Sequence, residues 1–376
     1  MTILHLVQKP QMRGAEIFAA QLASHTHRNG HRVILVSLFP GTVQLPFDGK
    51  TINLGGKKGH RLWNLTAWRK LANIIKQEKP DLIQANAGDT LKYAVFSKLI
   101  FRWKQPIIFR NASTISLYIK TWPAKIWNRF LFRHTDKIVS VSKTSATDFA
   151  QLFPKCKDKI VIVPIGIEEA PVKRKADLAK QNGHRLSPIL VHVGGFTYEK
   201  NHIRLIAIYQ ELQTIYPHAR LHLVGDGPLR KDIEEIVKQK GLGFGIRFLG
   251  AQKEVMPLIA EADVLLLPSI IEGLPGVILE AFYCKIPVVA YDVGGVGEVL
   301  INNDTGHLVR KGDETAFVDA ICDVIENKEA ESYLVQNAYH LVISAYLNKK
   351  IARRFMNVYE SVVRHWKEVY HLQKMI

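Results

Sequence analysis

Residues 264–282 read VLLLPSIIEGLPGVILEAF: an apolar run, a turn rich in glycine and proline, and a second apolar run. The first run is short and apolar on both faces, which is typical of a strand buried inside a parallel sheet. Pro275 suits the first turn of a helix that follows the glycine turn. The stretch therefore predicts a strand, a tight turn and a helix, the repeating unit of an α/β fold.

The same unit recurs along nearly the whole chain, because short apolar runs alternate with helical patterns. In the first half we predict strands at Ile3–Val7, Val33–Leu38, Asp81–Ala85, Pro106–Phe109, Lys137–Val141 and Ile160–Val163. In the second half we predict strands at Ile189–Val193, Arg220–Val224, Arg247–Leu249, Asp263–Leu267, Val288–Tyr291 and His307–Val309. Runs of this kind form parallel sheets covered on both sides by helices. The sequence thus predicts two Rossmann-like, doubly wound domains.

The domain boundaries are predicted from changes in composition. Residues 1–168 form the first domain, and residues 169–187, which are charged and contain Pro and Gly without a clear period, form a linker. Residues 188–345 form the second domain. The rest of the chain, residues 346–376, has a helical pattern and no further strand, so it is predicted to be a helical tail.

The composition limits the class of protein. The chain has 376 residues, 47% of them hydrophobic, and its three cysteines give neither a disulfide framework nor a zinc pattern. No apolar run approaches the roughly 20 residues that cross a bilayer, and the N-terminus has no signal-peptide pattern. We therefore expect a cytoplasmic protein without a metal site, either soluble or peripheral on the inner face of the cell membrane.

The net charge of +17 is unevenly distributed. Residues 1–168 contain 26 Lys and Arg against 9 Asp and Glu, whereas residues 169–376 contain 25 of each kind. Such asymmetry gives information about binding partners rather than about the fold, because the electrostatic field of one domain attracts anions. Nucleic acid is not the expected partner, since no recognition helix, zinc finger or RNA-binding signature is present.

Loops that contain glycine follow five successive strands of the second half. They read GGFTYEKNH, GDGPLR, GAQKE, PSIIEGLPG and DVGGVGE. Ligands of open α/β sheets bind beyond the carboxyl ends of the strands. One glycine turn is weak evidence, because glycine commonly only turns the chain. Five such loops at one rim predict a crevice in which backbone approaches a ligand closely.

The charges at this rim indicate the kind of ligand. The helix after Pro275 begins with unpaired N–H groups and the positive end of its dipole, and Lys200 adds a full positive charge, so together they predict a diphosphate site. Glu272 and Glu280 would repel phosphate, but a carboxylate accepts hydrogen bonds from the paired hydroxyls of a sugar. A nucleotide sugar has such hydroxyls on both sides of its diphosphate. The alternative is that both glutamates are solvated charges beside an ordinary helix start.

The motif EGLPGVILE at 272–280, two glutamates separated by seven residues, resembles that of the retaining glycosyltransferases of family 4, which have the two-domain GT-B fold. RGAE at 13–16, DKIVSVS at 136–142 and EKN at 199–201 are similar to other motifs of the family, and so are LVGDGPLR, ADVLLLPS and GGVGE. The resemblance covers most of the chain. It implies two domains that face each other across a cleft, and a tail, residues 346–376, that returns to the first domain.

The resemblance also implies roles for individual residues. Glu280 would bind the nucleotide ribose, Glu272 the donor hexose near its C3 hydroxyl, and Lys200 the diphosphate. The predicted catalytic residues are Glu272 and Lys200, and neither a metal nor a cofactor is implied. Further donor contacts would come from loop residues, namely Gly14, Gly194, Gly195, Gly225, Gly227, Leu249, Gly273, Leu274, Pro275, Gly276 and Val277.

Two positions of the second domain depart from the family pattern. Gly195 stands where an arginine is frequent, so we expect a second phosphate contact to come from Arg13 or Arg230. Lys285 stands where the pattern G-x-P is usual, and the sequence offers no explanation for this lysine.

The first domain would bind the acceptor. Asn111, next to Arg110, stands where many members have a histidine, so a histidine base is not available there, and we keep both residues as candidates for acceptor or phosphate contact. Aromatic and cationic side chains interleave between residues 102 and 137, which suits the interface of an anionic bilayer. The candidates for that contact are Lys120, Trp122, Lys125, Trp127, Arg129 and Arg133. The alternative is a helix that buries its aromatic residues and leaves its cations in water.

The predicted activity is transfer of a hexosyl group from a nucleoside diphosphate sugar to a hydroxyl of a glycan or lipid-linked acceptor. The anomeric configuration would be retained, and the product would belong to bacterial surface polysaccharide or lipopolysaccharide. Two other functions of the GT-B fold stay open, a nucleotide-sugar epimerase and a catalytically silent nucleotide-sugar-binding subunit. A Rossmann dehydrogenase is not favoured, because the first strand leads into QKPQMRGAE without the spacing G-x-G-x-x-G.

Overall fold

Two parallel β-sheets form the frame of the chain in the computed structural model. The structure describes residues 1–56, 64–170 and 187–375. The central strands are short runs of Val, Ile and Leu whose side chains are buried, as expected when helices cover both faces of a sheet. Most of the predicted linker, residues 169–187, lies outside the described residues.

The first unit consists of residues 1–168 together with residues 348–376. Its sheet has the order β3-β2-β1-β4-β5-β6-β7, and every pairing is parallel. The strands are β1 (Thr2–Val7), β2 (Arg32–Ser37), β3 (Lys50–Asn53), β4 (Leu82–Ala85), β5 (Ile107–Asn111), β6 (Lys137–Ser140) and β7 (Ile160–Ile162). The helices that alternate with them are α1 (Gly14–Arg28), α2 (Leu65–Glu78), α3 (Gly88–Phe101), α4 (Trp122–Arg133) and α5 (Lys143–Leu152).

The second unit consists of residues 169–347. Its sheet has the order β10-β9-β8-β11-β12-β13 and is also wholly parallel. The strands are β8 (Ile189–Val193), β9 (Arg220–Val224), β10 (Ile246–Gly250), β11 (Val264–Leu267), β12 (Val288–Tyr291) and β13 (His307–Val309). The helices are α6 (His202–Ile215), α7 (Arg230–Gln239), α8 (Met256–Ala260), α9 (Gly276–Tyr283), α10 (Glu314–Glu326) and α11 (Lys328–Ala345).

The last helix, α12 (Asn348–Met375), belongs to the first unit. Its buried apolar residues recur every three or four positions, so they form one stripe, which includes Ile351, Phe355 and Tyr359. This stripe packs with Ile3 of β1 and Phe18 of α1 in one hydrophobic cluster. Within the described residues, no helix is both long enough and apolar enough to cross a membrane.

The prediction of two Rossmann-like sheets is confirmed. Each of the twelve predicted strands coincides with an observed strand to within two residues at either end. One further strand, β3, is not predicted from the sequence; it reads KTIN and lies at the edge of the first sheet with most of its residues exposed. An exposed edge strand needs few apolar residues, so the pattern that reveals buried strands is absent from it.

Candidate active site

The loop between β11 and α9 carries the two glutamates that the sequence singles out. Pro275 is the N-cap residue of α9, one position before the first helical turn where the sequence predicts it, and Gly276 begins the helix. The N-cap residue itself makes no capping hydrogen bond through its side chain. The positive end of the helix dipole at this first turn favours an anion.

Lys200 and Glu272 contact each other at this rim. Lys200 Nζ lies 2.5 Å from Glu272 Oε1, and the two side chains are only 21% and 10% exposed. Lys200 follows β8 and Glu272 follows β11, and these strands are neighbours in the sheet, so their carboxyl ends adjoin. The sequence assigns these charges to different groups of one ligand, whereas in the structure they form an ion pair. A phosphate that binds Lys200 must therefore compete with Glu272 for the ammonium group.

The loops that carry this ion pair are bonded to each other. Ile270 N donates to Glu199 O at 2.8 Å, and Asn201 Nδ2 donates to Pro268 O at 3.0 Å. The two loops are therefore joined by hydrogen bonds between the residues on either side of Lys200 and the segment that precedes Glu272. These bonds keep the backbone of Lys200 close to the loop that carries Glu272, which favours a preorganised site.

Several rim glycines are required where one loop crosses another. A Cβ at Gly225, whose φ is +141°, would lie 2.0 Å from Gly194 O, and a Cβ at Gly294, whose φ is +57°, would lie 1.9 Å from Glu272 O. A Cβ at Gly227 would lie 2.6 Å from backbone of the loop after β8. Loop packing thus explains these glycines, whereas the sequence predicts that they allow close approach of a ligand. Contact of Gly225 and Gly227 with a donor stays a prediction.

Gly194 and Gly195 have different surroundings. A Cβ at Gly194 would lie 3.0 Å from His192 Nε2 and 3.1 Å from Lys200 Cδ, so the lysine stem packs directly over this glycine. A Cβ at Gly195 would lie 3.5 Å from its nearest neighbour, Asp226 O, which is an ordinary contact. Gly194 is therefore needed for the position of Lys200, whereas the position of Gly195 has room for a side chain.

Two buried histidines lie beneath this loop and are not predicted as site residues from the sequence. His192 and His202 are 0% and 2% exposed, and their rings meet edge to face with centres 4.8 Å apart. His192 Nδ1 lies 2.8 Å from Leu266 O, and because a carbonyl only accepts, Nδ1 carries the proton. Burial lowers the pKa of His192 to about 4 and that of His202 to about 2, so both are neutral at neutral pH. The only signal in the sequence is a histidine within the apolar strand ILVHV.

Glu280 lies on α9, eight residues after Glu272, and is half-buried. Among the described residues, no hydrogen bond or ion pair to its carboxylate is found. Withdrawal from water raises the pKa of Glu280 to about 7. A carboxyl group in this state can exchange hydrogen bonds with the hydroxyl groups of a ligand, which is compatible with the predicted contact to a ribose.

The other predicted donor residues of the second unit lie at the same rim or beneath it. Leu274 and Val277 are buried, so only their backbone can reach a ligand. Leu249 is half-buried at the end of β10. Arg230 begins α7, and its Nε donates to Glu234 Oε1 at 2.7 Å, so this guanidinium already has an acidic partner.

Arg13 and Gly14 lie in the first unit, where β1 leads into α1. Arg13 is the N-cap residue of α1 and Gly14 is its first residue, and both are exposed. A Cβ at Gly14 would meet nothing within 4 Å. Packing therefore does not explain this glycine, and the predicted contact with a ligand stays its explanation.

Arg110 and Asn111 lie at the carboxyl end of β5, and each is only 1% exposed. Arg110 Nη2 donates to Ala15 O at 2.9 Å. Asn111 Nδ2 donates to Ser140 Oγ and to Ser145 O, both at 3.3 Å. The structure places both side chains in the interior, bonded to protein atoms. This placement argues against the predicted contact with an acceptor or a phosphate.

Helix α4 divides its aromatic residues between water and the core. Trp122 is 74% exposed, and Trp127 and Phe130 are 37% exposed, whereas Leu131 and Phe132 are 2% exposed. The interpretation as a buried core therefore holds for Leu131 and Phe132, whereas contact of the exposed residues with a membrane stays a prediction. Its exposed surface combines aromatic side chains with Lys and Arg.

Comparisons with known proteins agree with this architecture. Residues 174–341 match the family model described as glycosyl transferases group 1, and residues 12–170 match the model described as glycosyltransferase family 4. Together with the two parallel-sheet units, these matches identify the chain as a glycosyltransferase with the GT-B fold. The predicted fold and the predicted enzyme class are confirmed at this level.

Particular relatives and structures are similar over most of their length. The N-acetyl-α-D-glucosaminyl L-malate synthase of Bacillus anthracis is 25% identical over 368 residues, which cover 94% of this chain and 96% of that protein. The lipopolysaccharide core biosynthesis glycosyltransferase LpsE of Rhizobium meliloti is 24% identical over 292 residues, or 78% of this chain and 79% of that protein. The crystal structure of Anabaena Alr3699/HepE in complex with UDP and glucose matches with a TM-score of 0.81 and 21% identity, covering 96% of this chain and all of that chain.

Proposed function

We propose that this glycosyltransferase moves a hexosyl group from a nucleoside diphosphate sugar to a hydroxyl of a glycan or lipid-linked acceptor, with retention at the anomeric carbon, as a family 4 enzyme. The observation that carries the proposal is the ion pair of Lys200 and Glu272 near the start of α9. The UDP and glucose in the HepE complex support this class of donor. The LpsE relative supports an acceptor in lipopolysaccharide biosynthesis.

Lys200 and the first turn of α9 bind the diphosphate in this proposal. When the donor binds, its phosphate oxygens take the place of the Glu272 carboxylate beside Lys200. Glu272 is then released toward the hexose, where it accepts a hydrogen bond from a sugar hydroxyl. Glu280, on the same helix, exchanges hydrogen bonds with the ribose. The observed ion pair thus keeps both charges in place until the donor binds.

The reaction needs stabilisation of the leaving diphosphate. The bond between the anomeric carbon and the β-phosphate oxygen breaks, and its electron pair stays on that oxygen. The acceptor oxygen forms the new bond on the same face of the sugar, and the departing oxygen takes the acceptor's proton. Lys200 and the dipole of α9 stabilise the developing charge, and removal of one such group typically costs about 100- to 1000-fold in kcat.

The test uses Lys200→Met and Glu272→Gln, with Lys238→Met as the matched control on an exposed surface of the same unit. A thermal-shift screen of nucleoside diphosphate sugars first selects the donor, because a ligand that binds only the folded state raises its stability. We expect both rim variants to lose at least about 100-fold in donor turnover and the control to keep wild-type turnover. Wild-type turnover in both rim variants would exclude this site. Donor binding without hydrolysis or transfer by the wild type would instead indicate a silent binding protein.

We also propose that the exposed surface of α4 contacts the anionic cytoplasmic leaflet, where a lipid-linked acceptor is presented. Residues 90–135 contain nine Lys and Arg and no Asp or Glu. Trp122 at the start of α4 and Ile100 at the end of α3 are exposed by 74% and 44%. Exposed apolar groups in a region without acidic residues match the interface of an anionic bilayer.

A further inference from the structure

Strands β8 and β11 of the second unit separate at their carboxyl ends. Within the described residues, their pairing ends at Val191 and Leu265. Each strand continues for two more residues, which stay paired with β9 on one side and with β12 on the other. The strand order reverses between β8 and β11, and ligands of open α/β sheets bind at such a point. The loops that carry Lys200 and Glu272 leave the sheet on the two sides of this gap.

The side chain of His192 spans the gap. His192 Nδ1 donates to Leu266 O at 2.8 Å, and these two residues directly follow the last backbone pair of the two strands. A side-chain hydrogen bond therefore joins β8 to β11 where the backbone pairing has ended. This bond sets the separation of the two strand ends from which the loops of Lys200 and Glu272 begin.

The ring of His202 connects His192 to the loop after β8. The two imidazoles meet edge to face with centres 4.8 Å apart, and the His202 ring stacks on the Phe196 ring at 4.1 Å with 16° between the ring planes. Phe196 and His202 are 0% and 2% exposed, and they stand on either side of Lys200 in the chain. The three rings thus form a continuous buried floor beneath the loop that carries Lys200.

The stem of Lys200 packs against this floor. A Cβ at Gly194 would lie 3.0 Å from His192 Nε2 and 3.1 Å from Lys200 Cδ, so the imidazole edge and the lysine stem lie against the same side of Gly194. Burial lowers the pKa of both histidines, and the positive charge of Lys200 lowers it further. The two rings are therefore neutral and do not repel the ammonium group.

Stability alone does not explain two histidines at this place. His192 Nε2 and both ring nitrogens of His202 are buried without a hydrogen-bond partner among the described residues. A buried polar atom that makes no hydrogen bond destabilises the folded state, and an apolar side chain of similar volume avoids this cost. The rings are therefore better explained by the geometry that they give to the loop above them.

We infer that His192 and His202 are positioning residues, which hold the loop after β8 so that Lys200 stays beside Glu272 at the place of the donor diphosphate. His192 acts through its bond across the gap between β8 and β11, and His202 acts through its contacts with His192 and Phe196. The inference rests on the proposed function, because the diphosphate is the group that Lys200 binds there.

The test compares His192→Leu and His202→Leu with His222→Leu. His222 is the matched control, because it is a buried histidine of β9, the neighbouring strand of the same sheet. With the donor that the thermal-shift screen selects, we expect each positioning variant to lower kcat at least about tenfold, because Lys200 is displaced from the leaving group. The Kd for the corresponding nucleoside diphosphate should rise about tenfold, since a charge-assisted contact is weakened. The control should keep the wild-type kcat and Kd.

Two further variants separate a positioning role from a merely structural one. In a Lys200→Met background, His192→Leu should change the Kd for the nucleoside diphosphate by less than about twofold, because the interaction through which it acts is already absent. His192→Asn keeps an N–H group at the position of Nδ1, so it should restore kcat to within about threefold of the wild type. It also provides a folded variant if His192→Leu misfolds. A full further loss in the Lys200→Met background, or an Asn variant as impaired as the Leu variant, would overturn the inference.

Amide hydrogen exchange gives a readout that does not depend on the donor. We expect faster exchange in residues 194–200 of His192→Leu and His202→Leu, and unchanged exchange there in His222→Leu. A lower Tm with unchanged kcat, Kd and loop exchange would overturn the inference, since the histidines would then support only the core. If the wild type neither binds a nucleoside diphosphate nor uses any donor, the proposed function fails, whereas faster exchange in the variants still shows that the two rings hold the loop.

Discussion

Lys285, at the C-terminal end of α9, has a backbone conformation that glycine usually adopts. Its φ is +56°, its N–H donates to Phe282 O at 3.0 Å, and Ile286 N donates to Ala281 O at 2.9 Å. This is the bonding of a helix that ends on a left-handed residue. The Lys285 ammonium lies 4.5 Å from the centre of the Tyr339 ring, and this cation–π contact offsets part of the backbone strain. The structure thus explains the glycine of the usual G-x-P pattern and the lysine that replaces it here.

The pair Gly194 and Gly195 gives a prediction at the scale of a single methyl group. Gly194→Ala places a Cβ about 3 Å from Lys200 and His192, so it displaces the lysine stem, whereas Gly195→Ala makes only ordinary contacts. We expect Gly194→Ala to lower kcat by at least about tenfold and Gly195→Ala to keep wild-type kcat. Donor turnover and the Tm of both variants provide the measurement. Equal kcat in the two variants would contradict the predicted packing of Lys200.

Glu280 gives a prediction about pH. Its pKa is raised from 4.5 to about 7 by burial, so the folded state binds more protons than the unfolded state between these values. The free energy of unfolding therefore falls as the pH rises from about 4.5 to about 7, by at most about 3 kcal/mol from this group. The variant Glu280→Gln removes this pH-dependent contribution to the free energy of unfolding.

Urea unfolding at pH 4.5 and pH 7.5 measures this difference. We expect Glu280→Gln to be more stable than the wild type at the higher pH and similar to it at the lower pH. The same variant should bind UDP more weakly at pH 7.5, since Glu280 is the proposed ribose contact. An equal difference in stability at the two pH values would show that the Glu280 carboxyl group titrates normally.

Among the elements, α4 combines three kinds of surface. The residues that face the core are Leu131 and Phe132. Apolar residues exposed to water recur four positions apart, at Trp122, Ile126 and Phe130. Cations recur four positions apart beside them, at Lys125, Arg129 and Arg133. Residues four apart lie on one side of a helix, so α4 presents an apolar stripe and a cationic stripe next to each other.

The membrane proposal predicts binding that depends on both stripes. Trp122→Ser combined with Ile126→Ser removes exposed apolar groups without opening the core, and Phe244→Ser, at a fully exposed residue of the second unit, is the matched control. We expect the wild type and the control to sediment with anionic vesicles and the double variant to bind several-fold more weakly. High salt should weaken the binding of the wild type to anionic vesicles, since it screens the cations. Equal binding to neutral and anionic vesicles, or no binding, contradicts the proposal.

At the scale of the whole molecule, the path of the chain sharpens the charge asymmetry. Residues 348–376 belong to the first unit, which therefore contains 33 Lys and Arg against 11 Asp and Glu, a net charge of +22. The second unit contains 18 against 23, a net charge of −5. Glu168 and Asn348, where the chain leaves the first unit and re-enters it, are joined by a hydrogen bond of 2.8 Å. When the chain is divided only at residue 168, the positive charges of residues 348–376 are counted with the second unit, and the charge asymmetry between the units is underestimated.

The fold was predictable because it depends on local patterns. Buried parallel strands are continuous apolar runs, and a run such as Val288–Tyr291 is visible without any knowledge of its neighbours. The placement of Lys200 near Glu272 was also predictable, because both follow strands of one parallel sheet. The interior placement of Arg110 was not predictable, since a polar residue at the end of a strand faces either a ligand or a helix, depending on tertiary packing.

By itself the sequence determined the two doubly wound sheets and the rim that carries the lysine and the two glutamates. Apolar strand runs are local patterns, and residues that directly follow parallel strands lie at the same edge of the sheet. Only the tertiary structure decided that Lys200 and Glu272 form an ion pair, that Gly225 and Gly294 are required by loops that cross, and that Arg110 is buried under α1. These features depend on distances between atoms that are far apart in the chain. Such distances are set by packing, which no local pattern records.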